Sequence, residues 1–234
     1  MCAVKKKTEE PSVLGMCFYG MLTALFGAVL GALYMASFPA TPLNNARDLA
    51  KFEEAQEDAY SSPKDIYYMQ GPNSTVKTWI DKRQAWVDGN LDAVEFTHRE
   101  VNAWLSAKFK PATAPSGEGA PKMLILPGVP NIHITKYLIT LSLPTSFIIN
   151  GKTYSRTVIV TGVFDDSGDS VEFSMKSVRI DSASVPLVDI IGHRIVDTLL
   201  KAYTGSDEFL AIESAWSSVT SVELSDGIIR LQLQ

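Results

Sequence analysis

Hydrophobic and polar positions follow three patterns along the chain. Residues 12–38 are uninterrupted by charge, residues 74–109 carry apolar side chains at helical spacing, and the chain from residue 132 onward is rich in alternating β-branched residues. These patterns predict a membrane-length helix, then amphipathic helices, then strands. The predicted fold class is α+β: an N-terminal transmembrane helix, then helices followed by a long-stranded antiparallel sheet packed against one or more helices.

The stretch Ser12 to Phe38 is longer than the roughly 20 apolar residues that cross a bilayer. Lys5, Lys6 and Lys7 precede it, and basic residues favour the cytoplasmic side. We predict a cytoplasmic tail (1–11), an uncleaved anchor (12–38) and an extracytoplasmic remainder. The alternative is a cleaved signal peptide, whose apolar part usually runs only about 7–15 residues.

Small residues line one face of the predicted anchor. Every fourth position from 20 to 36 is Gly or Ala, and a GxxxG pair lies beside this row. Small side chains let helix backbones approach closely in lipid. We predict that this face packs on a second copy of the chain or on another transmembrane subunit, through Gly20, Ala24, Gly27, Ala28, Gly31, Ala32 and Ala36.

Residues 39–72 predict a juxtamembrane stalk. Asn44 to Tyr60 is a charged, Ala-rich run of good helix formers, and Ser61-Ser62-Pro63 ends it. Residues 65–69 predict a short edge strand, closed by Gly71-Pro72.

The predicted extracytoplasmic domain, residues 73–234, begins with two helices. The first covers residues 74–88 and ends before Gly89. The second begins at Thr97, which forms a capping box with Glu100. Its predicted apolar face is Val101, Trp104, Leu105 and Phe109. One side of the first helix is predicted to carry Val76, Trp79, Ile80, Arg83 and Val87. Aromatic residues at this spacing are usually core, so we expect Trp79, Trp86 and Trp104 to be buried.

A Pro- and Gly-rich segment, residues 110–131, interrupts the pattern. It contains the apolar run Met123, Leu124, Ile125 and Leu126. One interpretation is a short core strand. The other is a lid, or a contact with a partner or the bilayer.

Three strands are predicted over residues 132–143, 153–164 and 170–180. Asn150-Gly151 predicts a tight hairpin between the first two, and a break in alternation after Met175 predicts a β-bulge. A helix over Val188 to Tyr203 covers the sheet with a wide apolar face. A last hairpin, residues 216–224 and 228–234, turns at Asp226-Gly227.

Charge and cysteine content make a nucleic-acid partner and a disulfide-linked domain unexpected. The net charge is −5, and nucleic-acid binding needs a basic footprint, so we expect no nucleic-acid partner. Both cysteines, Cys2 and Cys17, lie in the predicted tail and anchor, so no disulfide is expected in the domain.

Candidate catalytic and metal-binding residues are sparse. Asp189, His193 and Asp197 share one helix face and could bind a metal, but Lys201 continues the same stripe, which favours an ordinary solvated face. Asp165, Asp166 and Asp169 miss the ligand spacing of a calcium loop and suit a hairpin turn better. With no catalytic motif in the sequence, we expect no enzyme activity and no cofactor.

Three short motifs carry a family resemblance. These are Phe96 to Asn102 (FTHREVN), Val185-Pro186 leading into the helix at Val188, and the closing run Val222 to Ile228. Over residues 95–234 the chain resembles bacterial single-anchor extracytoplasmic proteins whose helix-plus-curved-sheet domain is akin to tubular lipid-binding proteins. The resemblance implies an apolar cleft between helix and sheet, and a bacterial inner-membrane protein with a periplasmic domain.

These observations favour a non-catalytic accessory or assembly subunit of a membrane protein complex. The alternative is a lipid- or lipoprotein-binding module, with its cleft between the helix at residues 188–203 and the sheet. The expected partners are the lipid bilayer, other transmembrane subunits or a second copy, and lipid.

Overall fold

The computed structural model describes residues 12–57, 67–110, 123–168 and 170–234, and the chain is α+β. Its helices are α1 (Val13–Ala36), α2 (Ala46–Glu57), α3 (Trp79–Val87), α4 (His98–Lys108), α5 (His193–Leu200), which a π-helical turn (Val188–Gly192) precedes, and α6 (Asp207–Trp216). Its strands are β1 (Thr41–Leu43), β2 (Tyr67–Met69), β3 (Ala93–Thr97), β4 (Met123–Pro127), β5 (Asn131–Ile134), β6 (Ile139–Ile149), β7 (Lys152–Asp165), β8 (Glu172–Ile180), β9 (Ala183–Ser184), β10 (Val219–Ser225) and β11 (Ile228–Leu233).

The predicted apolar N-terminal helix is present as α1. Its 24 residues span about 36 Å at 1.5 Å per residue, enough to cross a hydrocarbon core. The Ser12 hydroxyl accepts a hydrogen bond from the Gly15 N–H (3.1 Å) and caps the first turn. By length and composition α1 fits a membrane anchor or a signal sequence. The lysines at 5–7 lie outside the described residues.

The segment after α1 contains both elements predicted for it. The stalk helix is α2, and residues 58–66 after it lie outside the described part of the chain. The short strand is β2, which pairs in parallel with β1. No sequence signal marked β1, because three residues are too few to show a period.

Of the two predicted helices, α4 begins where its cap was predicted, whereas α3 begins later than predicted. Thr97 and Glu100 form the capping box at α4, and Trp79, Trp86 and Trp104 are buried. The prediction that the first helix starts at residue 74 was wrong, because α3 begins at Trp79. The Ser74 hydroxyl accepts from the Val76 N–H (3.2 Å), a local turn that competes with helix. Ile80, predicted on the same side as Trp79, is exposed.

The larger sheet has the strand order β4-β6-β7-β8-β9, with β5 also paired to β6. Asn150 and Gly151 both have positive φ (48° and 76°), as expected for a tight hairpin turn. The predicted bulge is present, because Thr161 pairs with Ser177 and Gly162 with Met175, which leaves Lys176 extra.

The prediction of one strand over residues 132–143 was wrong. The chain turns at Thr135–Leu138 and forms the two strands β5 and β6. The Thr135 side chain stabilises this turn by accepting from the Leu138 N–H (3.1 Å) and donating to its carbonyl (3.1 Å), without Gly or Pro.

A second, smaller sheet has the order β10-β11-β3, so the predicted last hairpin joins β3 and not the long-stranded sheet. Trp216 was predicted to start this hairpin, but it ends α6. Ser206 caps α6 by accepting from the Phe209 N–H (3.2 Å), and Asp207 and Glu208 occupy its first turn.

Buried side chains form two clusters. The first joins the smaller sheet to α3, α4 and α6: Trp79, Trp86, Val94, Phe96, Ala103, Trp104, Val171, Ala215, Val219 and Leu231. The second lies between the larger sheet and α5: Phe109, Leu143, Val158, Val160, Val178, Val196, Leu199 and Tyr203. Val196 and Leu199 of α5 belong to this second cluster.

Candidate functional site

An apolar cavity of about 310 Å³ lies between the two sheets and the helices α3, α4 and α6. Every residue in its wall is aliphatic or aromatic: Trp86, Phe96, Val101, Trp104, Leu105, Phe109, Ile132, Ile134, Ile139, Leu141, Phe164, Phe173, Ile212, Trp216, Ile229 and Leu231. The wall draws on both buried clusters, so the cavity lies where the two parts of the core meet.

Regular side-chain spacing builds this wall. Ile132 and Ile134 are two apart on β5, and alternate residues of a strand face the same side. On α4, Val101, Trp104 and Leu105 follow the i, i+3, i+4 pattern of one helix face.

Aromatic rings make one end of the cavity rigid. The Trp86 ring lies edge-on to Trp104 at 6.2 Å, and Phe96 lies 5.6 Å from Trp104, measured between ring centroids. The Trp104 indole N–H donates to Glu208 (2.7 Å) and that of Trp216 to the Val171 carbonyl (3.0 Å). The buried Trp86 indole N–H has no hydrogen-bond partner within the described part of the chain.

A buried carboxylate holds the helices around this end. Glu208 accepts from Arg83 Nε (2.9 Å) and Nη2 (3.1 Å) on α3, and Lys108 on α4 lies 3.6 Å away. Burial raises the pKa of Glu208, but the hydrogen bonds from Trp104 and Arg83 outweigh it, so the pKa is lowered overall. Glu208 therefore stays ionised and links α3, α4 and α6. It was not singled out in the sequence because α6 was not predicted.

Two histidines meet where the sheets join. The rings of His98 (first residue of α4) and His133 (β5) lie 5.8 Å apart, and both Nδ1 atoms are buried without a partner among the described residues. Burial lowers the pKa of both rings, and Asp226 opposes this. At neutral pH both are therefore uncharged and form part of the packed seam. Their separation in sequence hid this pair.

The cleft predicted beneath residues 188–203 is present as a separate groove of about 430 Å³. Its wall includes Arg194 and Thr198, whereas the wall of the cavity between the sheets is wholly apolar. The wholly apolar space is therefore the cavity between the sheets and not the groove beneath residues 188–203.

The run from Met123 to Leu126 forms most of β4, an edge strand paired with Thr145–Ile149 of β6. Met123 is exposed, and Leu124, Ile125 and Leu126 are half-buried. This fits the strand interpretation at the edge of the sheet, and the lid or partner contact stays a prediction.

The predicted helix-packing residues all lie on α1, and none of them is fully buried; Ala36, at the end of α1 that contacts β9, is half-buried, and the others are exposed. A Cβ added at Gly20, Gly27 or Gly31 would meet no described atom within 4 Å outside α1. The face is therefore open to another helix.

Some of the residues considered as metal ligands in the sequence lie near one another in the structure. Asp189 and His193 share a polar depression with Asp165 and Glu172, but residue 169 lies outside the described part. Among the residues that the structure describes, no group of three His, Cys, Asp or Glu side chains could hold a metal ion.

Compared with known proteins, the chain matches no protein-family model and no curated protein. The resemblance to tubular lipid-binding proteins therefore stays a prediction.

Proposed function

We propose that this protein is a membrane-anchored module that binds the hydrocarbon chain of a lipid in the cavity between its two sheets. The observation that carries the proposal is the wall of that cavity, which is apolar throughout and spans about 310 Å³. Ligand pockets in proteins typically have volumes of about 300–1,000 Å³ and mainly apolar walls. The anchor is α1, with the domain on the extracytoplasmic side of a bacterial inner membrane.

The free energy of burial favours an apolar ligand in this cavity. Each CH₂ group that its wall removes from water contributes about 0.8 kcal/mol to binding. The affinity is therefore expected to rise with the length of hydrocarbon chain that the wall encloses.

The same wall selects the chemical class of the ligand. A polar or charged group placed inside would lose its hydration without gaining hydrogen bonds, which costs several kcal/mol. A hydrocarbon chain loses nothing of this kind. The ligand we propose is therefore an acyl chain whose polar head group stays outside, taken from the bilayer that holds α1.

Photo-crosslinking in nanodiscs tests this proposal. A fatty acid with a diazirine at its methyl end should label the full-length protein within residues 101–109 or 132–141, identified by peptide mass spectrometry. Ile212→Trp fills the cavity and should reduce this labelling several-fold. Leu210→Trp, on the exposed side of α6, is the matched control and should leave it unchanged. Labelling confined to α1 and the surface would contradict the proposal.

A second candidate function, an accessory or assembly subunit of a membrane complex, is favoured by the open small-residue face of α1. In lipid, close backbone packing supplies the attraction between helices, and this face has no described neighbour.

If α1 packs on another helix, the wild type should migrate as a larger assembly on a native gel in mild detergent. Replacing both Ala28 and Ala32 by Leu is expected to abolish that assembly, because the bulk prevents close approach. Leu30→Phe adds bulk on the opposite side of α1 and should leave migration unchanged. If the double variant inserts and migrates like the wild type, α1 is an anchor only.

A further inference from the structure

An exposed apolar surface surrounds the π-helical turn before α5. It consists of Leu187, Ile190 and Ile191, whose exposed fractions are 67%, 58% and 39%; we call it the π-turn surface. Leu187 has a left-handed backbone (φ 51°), which is unfavourable for a residue other than glycine. π-Helical turns are rare and are frequent at functional sites. The unfavourable backbone conformation at Leu187 therefore accompanies the outward position of these apolar side chains.

The π-turn surface lies close to the end of the proposed anchor. Strand β9 packs against α1, and the Ser182 N–H before it donates to the Phe38 carbonyl (3.2 Å). Leu187 follows Ser184 by three residues, so it lies within about 10 Å of that strand. Tyr34 and Phe38 pack edge-to-face at 4.7 Å at the same end of α1, and aromatic residues are enriched at membrane interfaces.

The two sides of this helical segment differ in charge. Asp189 and His193 line the polar depression near Glu172, whereas Ile190, Ile191 and Arg194 line the groove on the other side. Arg194 forms no ion pair in the described part of the chain. A guanidinium is always charged and binds phosphate well, so a phospholipid head group complements this side.

We propose that the π-turn surface rests in the head-group region of the same bilayer that α1 crosses, with Arg194 facing lipid phosphates. The inference rests on the membrane anchoring in the proposed function. It adds an orientation: the domain lies on the membrane with the π-turn surface facing the bilayer. Three features point to lipid as the occupant: continuity with the end of α1, the exposed aliphatic side chains, and a guanidinium that forms no ion pair with the described residues.

Fluorescence quenching in nanodiscs of phosphatidylcholine and phosphatidylglycerol tests the placement. Full-length variants with a single cysteine carry an environment-sensitive label at Ile190→Cys, at Tyr137→Cys or at the native Cys17. Tyr137 is the control: it is 71% exposed and lies beyond the start of β6. Strand pairing shows that Tyr137 is far from the end of α1. The N–H of Asp181, next to Ser182, donates to the Thr157 carbonyl, and Thr157 pairs with Pro144 on β6. Ile139, at the start of β6, lies five residues or about 17 Å from Pro144. Cys17 reports whether α1 is inserted.

We expect a nitroxide at a shallow acyl position to quench the label at residue 190 several-fold more than the label at 137, with aqueous iodide giving the reverse order. If Cys17 is quenched from lipid but residue 190 responds like 137, the inference is wrong while the anchoring stands. If Cys17 is not quenched from lipid, the anchoring itself is wrong. Protection of residue 190 from both quenchers would mean that protein covers the surface, which overturns the inference.

Discussion

Replacing Glu208 by alanine is expected to lower the free energy of unfolding by about 3–5 kcal/mol, the usual cost of breaking a buried ion pair. Glu208 is 8% exposed and accepts three hydrogen bonds, two from Arg83 and one from Trp104. Without the carboxylate, a largely buried guanidinium and an indole N–H lose their partner. Denaturant unfolding of the full-length protein in mild detergent, followed by tryptophan fluorescence, measures the loss.

The matched control is Glu213→Ala, an exposed position on the same helix, where we expect a change within about 0.5 kcal/mol. Equal effects of the two substitutions would show that the Glu208 network contributes nothing. The pH dependence supplies a second check. Because the folded-state pKa of Glu208 is lowered from 4.5, its stabilisation is complete above that pH and is lost as the pH falls. The difference between wild type and Glu208→Gln should therefore shrink below pH 4.5.

Features set by neighbouring residues could be predicted from the sequence. The capping box needs only Thr97 and Glu100, three positions apart, and the hairpin at Asn150-Gly151 needs only two residues with positive φ. The length of α1 follows from an uninterrupted apolar run. In each case the physical cause lies within a few residues.

Features set by distant residues could not be predicted in this way. The cavity wall runs from Trp86 to Leu231 and uses three helices and six strands, so no local pattern shows that these side chains converge. The partners Arg83 and Glu208 are 125 residues apart. The turn at Thr135–Leu138 is closed by backbone and side-chain hydrogen bonds between Thr135 and Leu138, and no Gly or Pro marks it.

Gly71 shows how a local signal can have a non-local cause. In sequence Gly71-Pro72 predicts only the end of a short strand. In the structure the Gly71 N–H donates to Asn131 Oδ1 (2.7 Å), and Asn131 Nδ2 donates to the Gly71 carbonyl (3.0 Å). A Cβ at Gly71 would overlap the Ile132 carbonyl group, with its carbon at 2.8 Å, and the Asn102 amide. The glycine is therefore needed for close approach to β5.

Replacing Gly71 by alanine is accordingly expected to cost about 3 kcal/mol or more, because overpacking and a lost buried hydrogen bond each cost about 1–3 kcal/mol. The same unfolding measurement checks it, with Gly205→Ala as the control. A Cβ at Gly205 meets no atom within 4 Å, so a change within about 1 kcal/mol is expected there. Similar stabilities of the two variants would mean that β5 shifts freely at Ile132. Because Ile132 lines the cavity, a rigid β5 also predicts that Gly71→Ala weakens acyl-chain crosslinking, whereas Gly205→Ala leaves it intact.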